Sequence, residues 1–188
     1  MKNHKQESRQ KILRTAAREF ARHGVDGIGI AGLMKAAGLT QGAFSGHFAS
    51  KEELVREAMN EAFQLSRFTL PEWREKSLDE IVRFYLSKQH RDLSIIGCPA
   101  GTLSAEISRQ PRRTRNLFIS HLSRTCETIE SKLPRNKSPK DRKQAATAIF
   151  ATLVGTLQLA RVTKDTKMSD EIMETGIRTA AALAEMKS

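Results

Sequence analysis

Residues 27–32 read GIGIAG and satisfy the G-x-G-x-x-G pattern of a dinucleotide-binding loop. That pattern does chemistry only where a strand ends, a tight glycine turn lets backbone approach a pyrophosphate, and a helix N-terminus faces it. The preceding stretch, RQKILRTAAREFARHG, places Ile12, Leu13, Ala16, Ala17, Phe20 and Ala21 on one helical face, so a helix rather than a strand leads into the glycines. The acidic residue that a ribose requires about twenty positions on falls at Glu52 or Glu53, inside SKEE, a capping box opening another helix. The phosphate cradle therefore lacks its frame. Cys98 and Cys126 are too few for a disulfide framework and have no metal-ligand spacing, and the five histidines form no H-E-x-x-H pattern. Neither a cofactor nor a metal is expected. A small helical enzyme using Cys98 or His121 lacks a base and an orienting carboxylate at recognisable spacing.

The elements that would position any site are helical, because the apolar residues outside the loops keep returning at helical spacing. The spacing predicts an all-α chain of about nine helices. The first helix stops at Gly24, and short helices follow at Ile30 to Ala37 and Gln41 to His47. The turn between them puts Gly38 at a left-handed C′ position and Thr40 at an N-cap. A longer helix starts after Ser50, turns Leu54, Val55, Ala58, Met59, Ala62 and Phe63 inward, and ends before Pro71. Ser77 and Glu80 form a second capping box. The loop IIGCPAG, residues 95–101, precedes a short helix from Thr102 to Arg109. Pro111 is placed in the first turn of a helix with Leu117, Phe118, His121, Leu122, Cys126, Ile129 and Leu133 on its apolar face. Ser138, Pro139 and Asp141 launch a helix to Thr163, and Ser169, Asp170 and Glu171 start the last one. The chain divides into a compact head, residues 1–52, with the paired short helices at about 29–48, and a larger helical body, residues 53–188. Trp73, just after Pro71, is placed to close the junction.

The 188 residues carry a net charge of +11, held in two blocks: +5 over residues 1–50 and +8 over 109–143. The first coincides with the compact head and suits nucleic acid phosphates. The second, RQPRRTR through PRNKSPKDRK, reads either as solvated loops and helix ends or as an anion site. The start, MKNHKQESRQK, lacks the apolar stretch of a signal peptide, and no apolar run approaches the ~18 residues of a membrane span. A cytoplasmic protein without a membrane partner is expected, associated with the nucleoid when bound to DNA.

Two short helices joined by a glycine-containing turn on a basic three-helix head form a helix-turn-helix pattern. Leu33, Ala37, Leu39 and Phe44 would set the angle between the helices. Gln41, Gly42, Ala43, Ser45, Gly46 and His47 would then face a major groove, where small residues let the backbone approach closely. Gln41 suits an adenine edge, and Lys35, Thr40, His47 and Lys51 are placed toward the backbone. A general DNA-compacting protein would share the charge but not a sequence preference.

The run Arg9-Gln-Lys-Ile-Leu to Phe20-Ala and Gly24, followed by Leu33-Met-Lys-Ala-Ala-Gly-Leu-Thr40-Gln-Gly-Ala-Phe44, His47-Phe48 and Lys51-Glu-Glu-Leu54, resembles the N-terminal domain of the tetracycline-repressor (TetR) family of bacterial transcriptional regulators. The resemblance implies a homodimer on a double-stranded operator with the third helix reading bases. It also implies release of a repressor by a small-molecule inducer bound in the body. Two positions depart from the family pattern: Ser45 stands where a phosphate-binding tyrosine is usual, and Ile28 with Gly29 where a hydroxyl is usual. Each phosphate contact that is absent lowers the salt slope by about 0.9, so a shallow slope is expected unless other cations, such as Lys35 or Lys51, compensate.

In the body, Phe84, Tyr85, Cys98, Phe118, His121 and Leu122 read either as pocket lining or as core. Cys98, in GCP, is either a small buried hydrophobe or a thiol that senses electrophiles or oxidants, which requires exposure and a lowered pKa. Cys126 reads as core. The last two helices contain AATAIFATLVGTLQLA and ETGIRTAAALA, apolar on more than one stripe, so each must bury two faces. Thr152, Gly155, Thr156, Leu159, Ile177 and Ala180 are assigned to the interface with a second copy, against the alternative of a wholly internal core.

Overall fold

The computed structural model describes residues 2–66, 73–92 and 97–186. Every regular element among them is helical: α1 (Lys2–His23), α2 (Ile30–Ala36), a 3₁₀ segment (Gln41–Gly46), α3 (Lys51–Leu65), α4 (Leu78–Tyr85), α5 (Lys88–Asp92), α6 (Pro99–Ile107), α7 (Arg112–Ser131), α8 (Pro139–Val162) and α9 (Lys167–Glu185). The caps explain most of the starts. Ser50 accepts from the Glu53 N–H, and the Glu53 carboxylate reaches back to the amide of Ala49. Ser77 and Glu80 complete a reciprocal capping box. Ser138 accepts from the Asp141 N–H ahead of Pro139.

Several elements differ from the sequence reading, most of them for a local reason. Gln41–Gly46 is 3₁₀ rather than α: the segment is short and carries Gly42 and Gly46, so little favours the α over the tighter coil. Helix α6 starts at Pro99, because a proline at N1 follows extended Cys98, and Pro111 is itself an N-cap rather than a first-turn residue. Helix α9 starts under Thr166, whose hydroxyl accepts from the Ser169 N–H, which moves Ser169 inside the helix. Helix α5 carries no periodic signal of its own; it is held by Arg91, which reaches Ser169 at 3.0 Å and Asp170 at 3.2 Å. Pro71, Ile95 and Ile96 lie outside the described residues.

In the head, α1 supplies Ile12, Leu13, Ala16 and Phe20 to a core shared with Leu33, Met34, Phe44, Phe48, Leu54 and Val55. The expected boundary after residue 52 falls at the start of α3, which packs on α1 through one side and on α7 through the other. In the body, Trp73 is fully buried with its ring edge-on to Tyr85 and Phe150. Helix α8 runs between α7 and α9. An 18-residue window of α8 has mean hydropathy 1.4, so by length and composition this helix could cross a membrane. No unbroken apolar run marks it in the sequence, because scattered Thr, Gly and Gln interrupt the run without making the window polar. In this fold that apolarity is used to bury Ile149, Leu153 and Leu157 between neighbours.

Candidate nucleic-acid interface

The helix-turn-helix is fixed by one left-handed residue and four apolar ones. Gly38 has φ +67° just past the Ala37 C-cap, and the Leu39 N–H returns to the Met34 carbonyl at 2.9 Å. Leu33, Ala37 and Phe44 are buried on the inner side, with Phe44 stacked on Phe48 at 5.8 Å. This leaves Lys35, Thr40, Gln41, Gly42, Ser45 and Gly46 exposed. Thr40 occupies the N-cap in extended conformation, yet its side chain makes no cap hydrogen bond. The expected Ala43 and His47 contacts are partly withdrawn: Ala43 packs half-buried against the core, and His47 leans half-buried on Phe48. Burial first, then the charges of Lys5 and Arg9, lower the His47 pKa, so the ring is neutral at pH 7 and is no standing cation. Lys51, half-buried, is the first residue of α3.

Missing anchors show as geometry. The Ser45 hydroxyl donates to the Gly42 carbonyl at 3.3 Å. Gly29 is the N-cap of α2 with φ −81° and ψ 165°, offers no cap side chain, and has nothing within 4 Å of its Cβ position. Arg9, although basic and nearby, is committed: it pairs with Glu57 at 2.5 Å and lies 4.7 Å over the Phe48 ring. The Glu57 hydrogen bond outweighs burial and raises its pKa.

The body residues expected to line one pocket do not converge. Phe118 and His121 face α3, with His121 stacked on Phe63 at 4.1 Å and its Nε2 3.2 Å from Asn60 Oδ1. Phe84 sits under Lys76. Cys98 is fully buried, and burial pushes its thiol pKa up. The exposure and lowered pKa that a sensing thiol needs are both missing from this arrangement. Leu122 alone of the six lines an open cleft of about 600 Å³ between α6, α7 and α8, with Cys126, Phe150 and Val154 in its apolar wall and Glu127, Glu130 and Lys143 as charged groups. Among the residues given to a second copy, Gly155 and Leu159 are exposed, the latter 61%. Thr152, Thr156 and Ile177 are half-buried. Ala180 is fully buried inside the subunit and can touch no partner, and Thr156 is taken up against Gly176. The two-faced helix is real, but α9 uses more of its small residues on α8 than the composition suggested.

Three polar residues that sequence reasoning missed tie the body together. His90 is buried, with Nδ1 2.7 Å from the Tyr85 carbonyl and Nε2 accepting from the Cys98 N–H at 3.0 Å, which fixes the proton on Nδ1. Burial drives its pKa down to about 3. Arg161 of α8 donates to the carbonyls of His90 and Arg91. The carboxylate of Glu106, near the end of α6, accepts the Val25 N–H just after left-handed Gly24, joining the body to the loop that leads into α2. Glu106 and Arg161 act across long sequence separations, and His90 bridges the end of α4 to the start of α6; none of these contacts leaves a periodic pattern.

Residues 12–58 match bacterial regulatory proteins of the tetR family. Over 85% of its length the chain is 29% identical to the HTH-type transcriptional regulator LmrA of Bacillus subtilis, 89% of which is covered. It is 32% identical to the HTH-type transcriptional repressor AcnR of Corynebacterium glutamicum over 69% of this chain and 65% of that one. Among solved structures, a TetR transcriptional regulator from Chloroflexus aurantiacus superposes with TM-score 0.78 at 22% identity, covering 97% of this chain and 96% of the other. Reduced NemR of E. coli gives 0.72 at 19%, covering 94% and 96%. With the matched segment spanning the whole helix-turn-helix and the similarity to LmrA running on through the body, the chain belongs to the TetR family of DNA-binding transcriptional regulators.

Proposed function

We propose that the protein is a homodimeric repressor in the bacterial cytoplasm that leaves a near-palindromic operator when a small molecule occupies its body. The observation that carries this reading is the pairing of an exposed, small-residue recognition face with a direct body-to-head bond, Glu106 to the Val25 amide. A ligand wedged in the α6–α7–α8 cleft displaces α6, and α6 carries Glu106. Displacing that carboxylate moves the loop ahead of α2 and so the pair of recognition segments, whose spacing must match half-sites about one helical turn apart. Moving from mostly bound to mostly free takes a differential of about 5.5 kcal/mol between the two states. The exposed stripe of Ala151, Gly155, Leu159 and Val162 along α8 is the surface for the second copy. The AcnR name supports repression over activation. Mobility shift with DNA flanking the protein's own gene, against excess competitor, tests the reading. Sequence-specific retention of a dimer is the expected result; equal retention of competitor would point to general DNA coating instead. Glu106→Gln should retain the operator but respond more weakly to a ligand found by thermal-shift screening.

A further inference from the structure

Helix α1 overhangs its own core. It begins at Lys2, but its first fully buried side chain is Ile12. At 1.5 Å per residue the overhang is about 15 Å long. His4, Lys5, Gln6 and Glu7 are exposed along it, so burial does not hold this end in place. Its charge also opposes the helix: the first turn holds no acidic residue, and Lys5 stands where the helix dipole is already positive. Such an end frays in water and is stabilised by an anion.

The overhang stands beside the recognition segment. His4, Lys5 and Ser8 form one wall of an open cleft of about 940 Å³ whose other wall includes Leu39, Gly46 and His47. Arg9 in the same cleft is spent on Glu57 and Phe48, whereas Lys5 makes no ion pair among the described residues. Meanwhile the usual phosphate anchors are gone, with the Ser45 hydroxyl turned to Gly42 and no side chain at Gly29.

We infer that a DNA strand lies along this cleft, with a phosphate held by Lys5 and His4 from the α1 side while the recognition segment enters the adjoining groove. The inference rests on the DNA-binding reading above and adds a contact outside the helix-turn-helix. DNA is the occupant because the cleft is continuous with the recognition face, and because Lys5 stands along it with no ion pair among the described residues, on a helix whose first turn holds no acid. An acidic protein would need no such continuity.

The test is the salt dependence of affinity, measured by fluorescence anisotropy between about 50 and 200 mM salt. Two short duplexes are used, one from the DNA flanking the gene and one of mixed sequence. Lys5→Ala should make the slope of log K against log salt shallower by about 0.9 on both duplexes. Lys5→Glu should weaken binding about tenfold or more, and Lys5→Arg should restore the wild-type slope. The urea midpoint should fall in none of them, since Lys5 is exposed, and should rise slightly in Lys5→Glu, which suits the helix dipole. An unchanged slope in Lys5→Ala together with unchanged affinity in Lys5→Glu overturns the inference. A wild type that prefers neither duplex, yet keeps a Lys5-dependent slope, overturns the regulator reading and leaves the backbone contact standing.

Discussion

At the recognition surface the Cβ positions of Gly29, Gly42 and Gly46 have no heavy atom within 4 Å, whereas in the body a Cβ at Gly101 would lie 2.5 Å from Gln158 Nε2 and one at Gly176 would overlap Thr156. The same residue type therefore answers two different demands. At Gly101 and Gly176 glycine is a packing device that lets α8 approach α6 and α9. At Gly29, Gly42 and Gly46, as at Gly155 on the exposed side of α8, it is empty space held open on a surface, which costs helix propensity without any internal contact in return. Space kept free at such expense is what close approach of another backbone requires. The comparison can be broken at either end, and the body should break first.

Gly176→Val drives a branched side chain into Thr156 on the α8–α9 contact. Overpacking of this kind costs about 1–3 kcal/mol, and here the upper end is expected, because both helices are long and cannot shift locally. Urea unfolding should show the lowered midpoint, and size-exclusion should show a weakened dimer. A midpoint equal to wild type would mean that the small residues of α9 are not a packing device.

Acid should weaken the body next. The His90 imidazole falls from 6.5 to about 3 on folding, so the folded chain binds fewer protons there than the unfolded chain between those values. The favourable contribution is whole above pH 6.5 and is lost as pH falls toward 3. From pH 7 to pH 5 the loss is about 2 kcal/mol. His47 and His121 shift in the same direction and add to it. His90→Gln can still donate toward the Tyr85 carbonyl and accept from the Cys98 amide without titrating, so its stability should fall less between those pH values. A drop as steep as wild type would remove His90 from the account.

At the head, Gly42→Ala and Gly46→Ala are expected to leave stability unchanged or slightly higher, since nothing occupies the added methyl's position. Operator affinity should nonetheless fall about tenfold, read by anisotropy, because the methyl stands between the segment and the groove. Unaltered affinity in both would mean that the open space is incidental.

How much of this was legible in sequence follows the same division. The helix-turn-helix was readable because its determinants are neighbours: Gly38 must be left-handed, Leu33, Ala37 and Phe44 share a face, and Ser50 caps α3, all within one short window. The 3₁₀ winding of Gln41–Gly46 was not, because an α turn and a 3₁₀ turn bury Phe44 alike. In the body, the helices were readable and their partners were not. His90, Glu106 and Arg161 act through backbone groups on other elements, and no spacing announces that. Cys98 reads in the sequence either as a buried hydrophobe or as a sensing thiol, because neither exposure nor pKa follows from spacing, and it lies fully buried. Of the second basic block, Lys132, Lys137 and Arg142 each reach a backbone carbonyl, Arg142 also pairs with Glu130, and Lys143 lines the cleft between α6, α7 and α8.

The smallest expected effect lies at Gly29 and bears most directly on the comparison. The N-cap of α2 has the extended backbone that serine or threonine adopts freely, and the position is open. Gly29→Ser should therefore place a hydroxyl where it can accept from an amide in the first turn of α2. Replacing glycine by serine at an N-cap adds only a few tenths of a kcal/mol, so the unfolding midpoint should rise barely at all. The DNA side should respond more. If the same hydroxyl also donates to a phosphate, the salt slope should steepen by up to about 0.9 and affinity should rise at low salt. If stability rises and the slope does not, α2 begins away from the duplex, and phosphate is anchored elsewhere on the head, with Lys5 the first place to look.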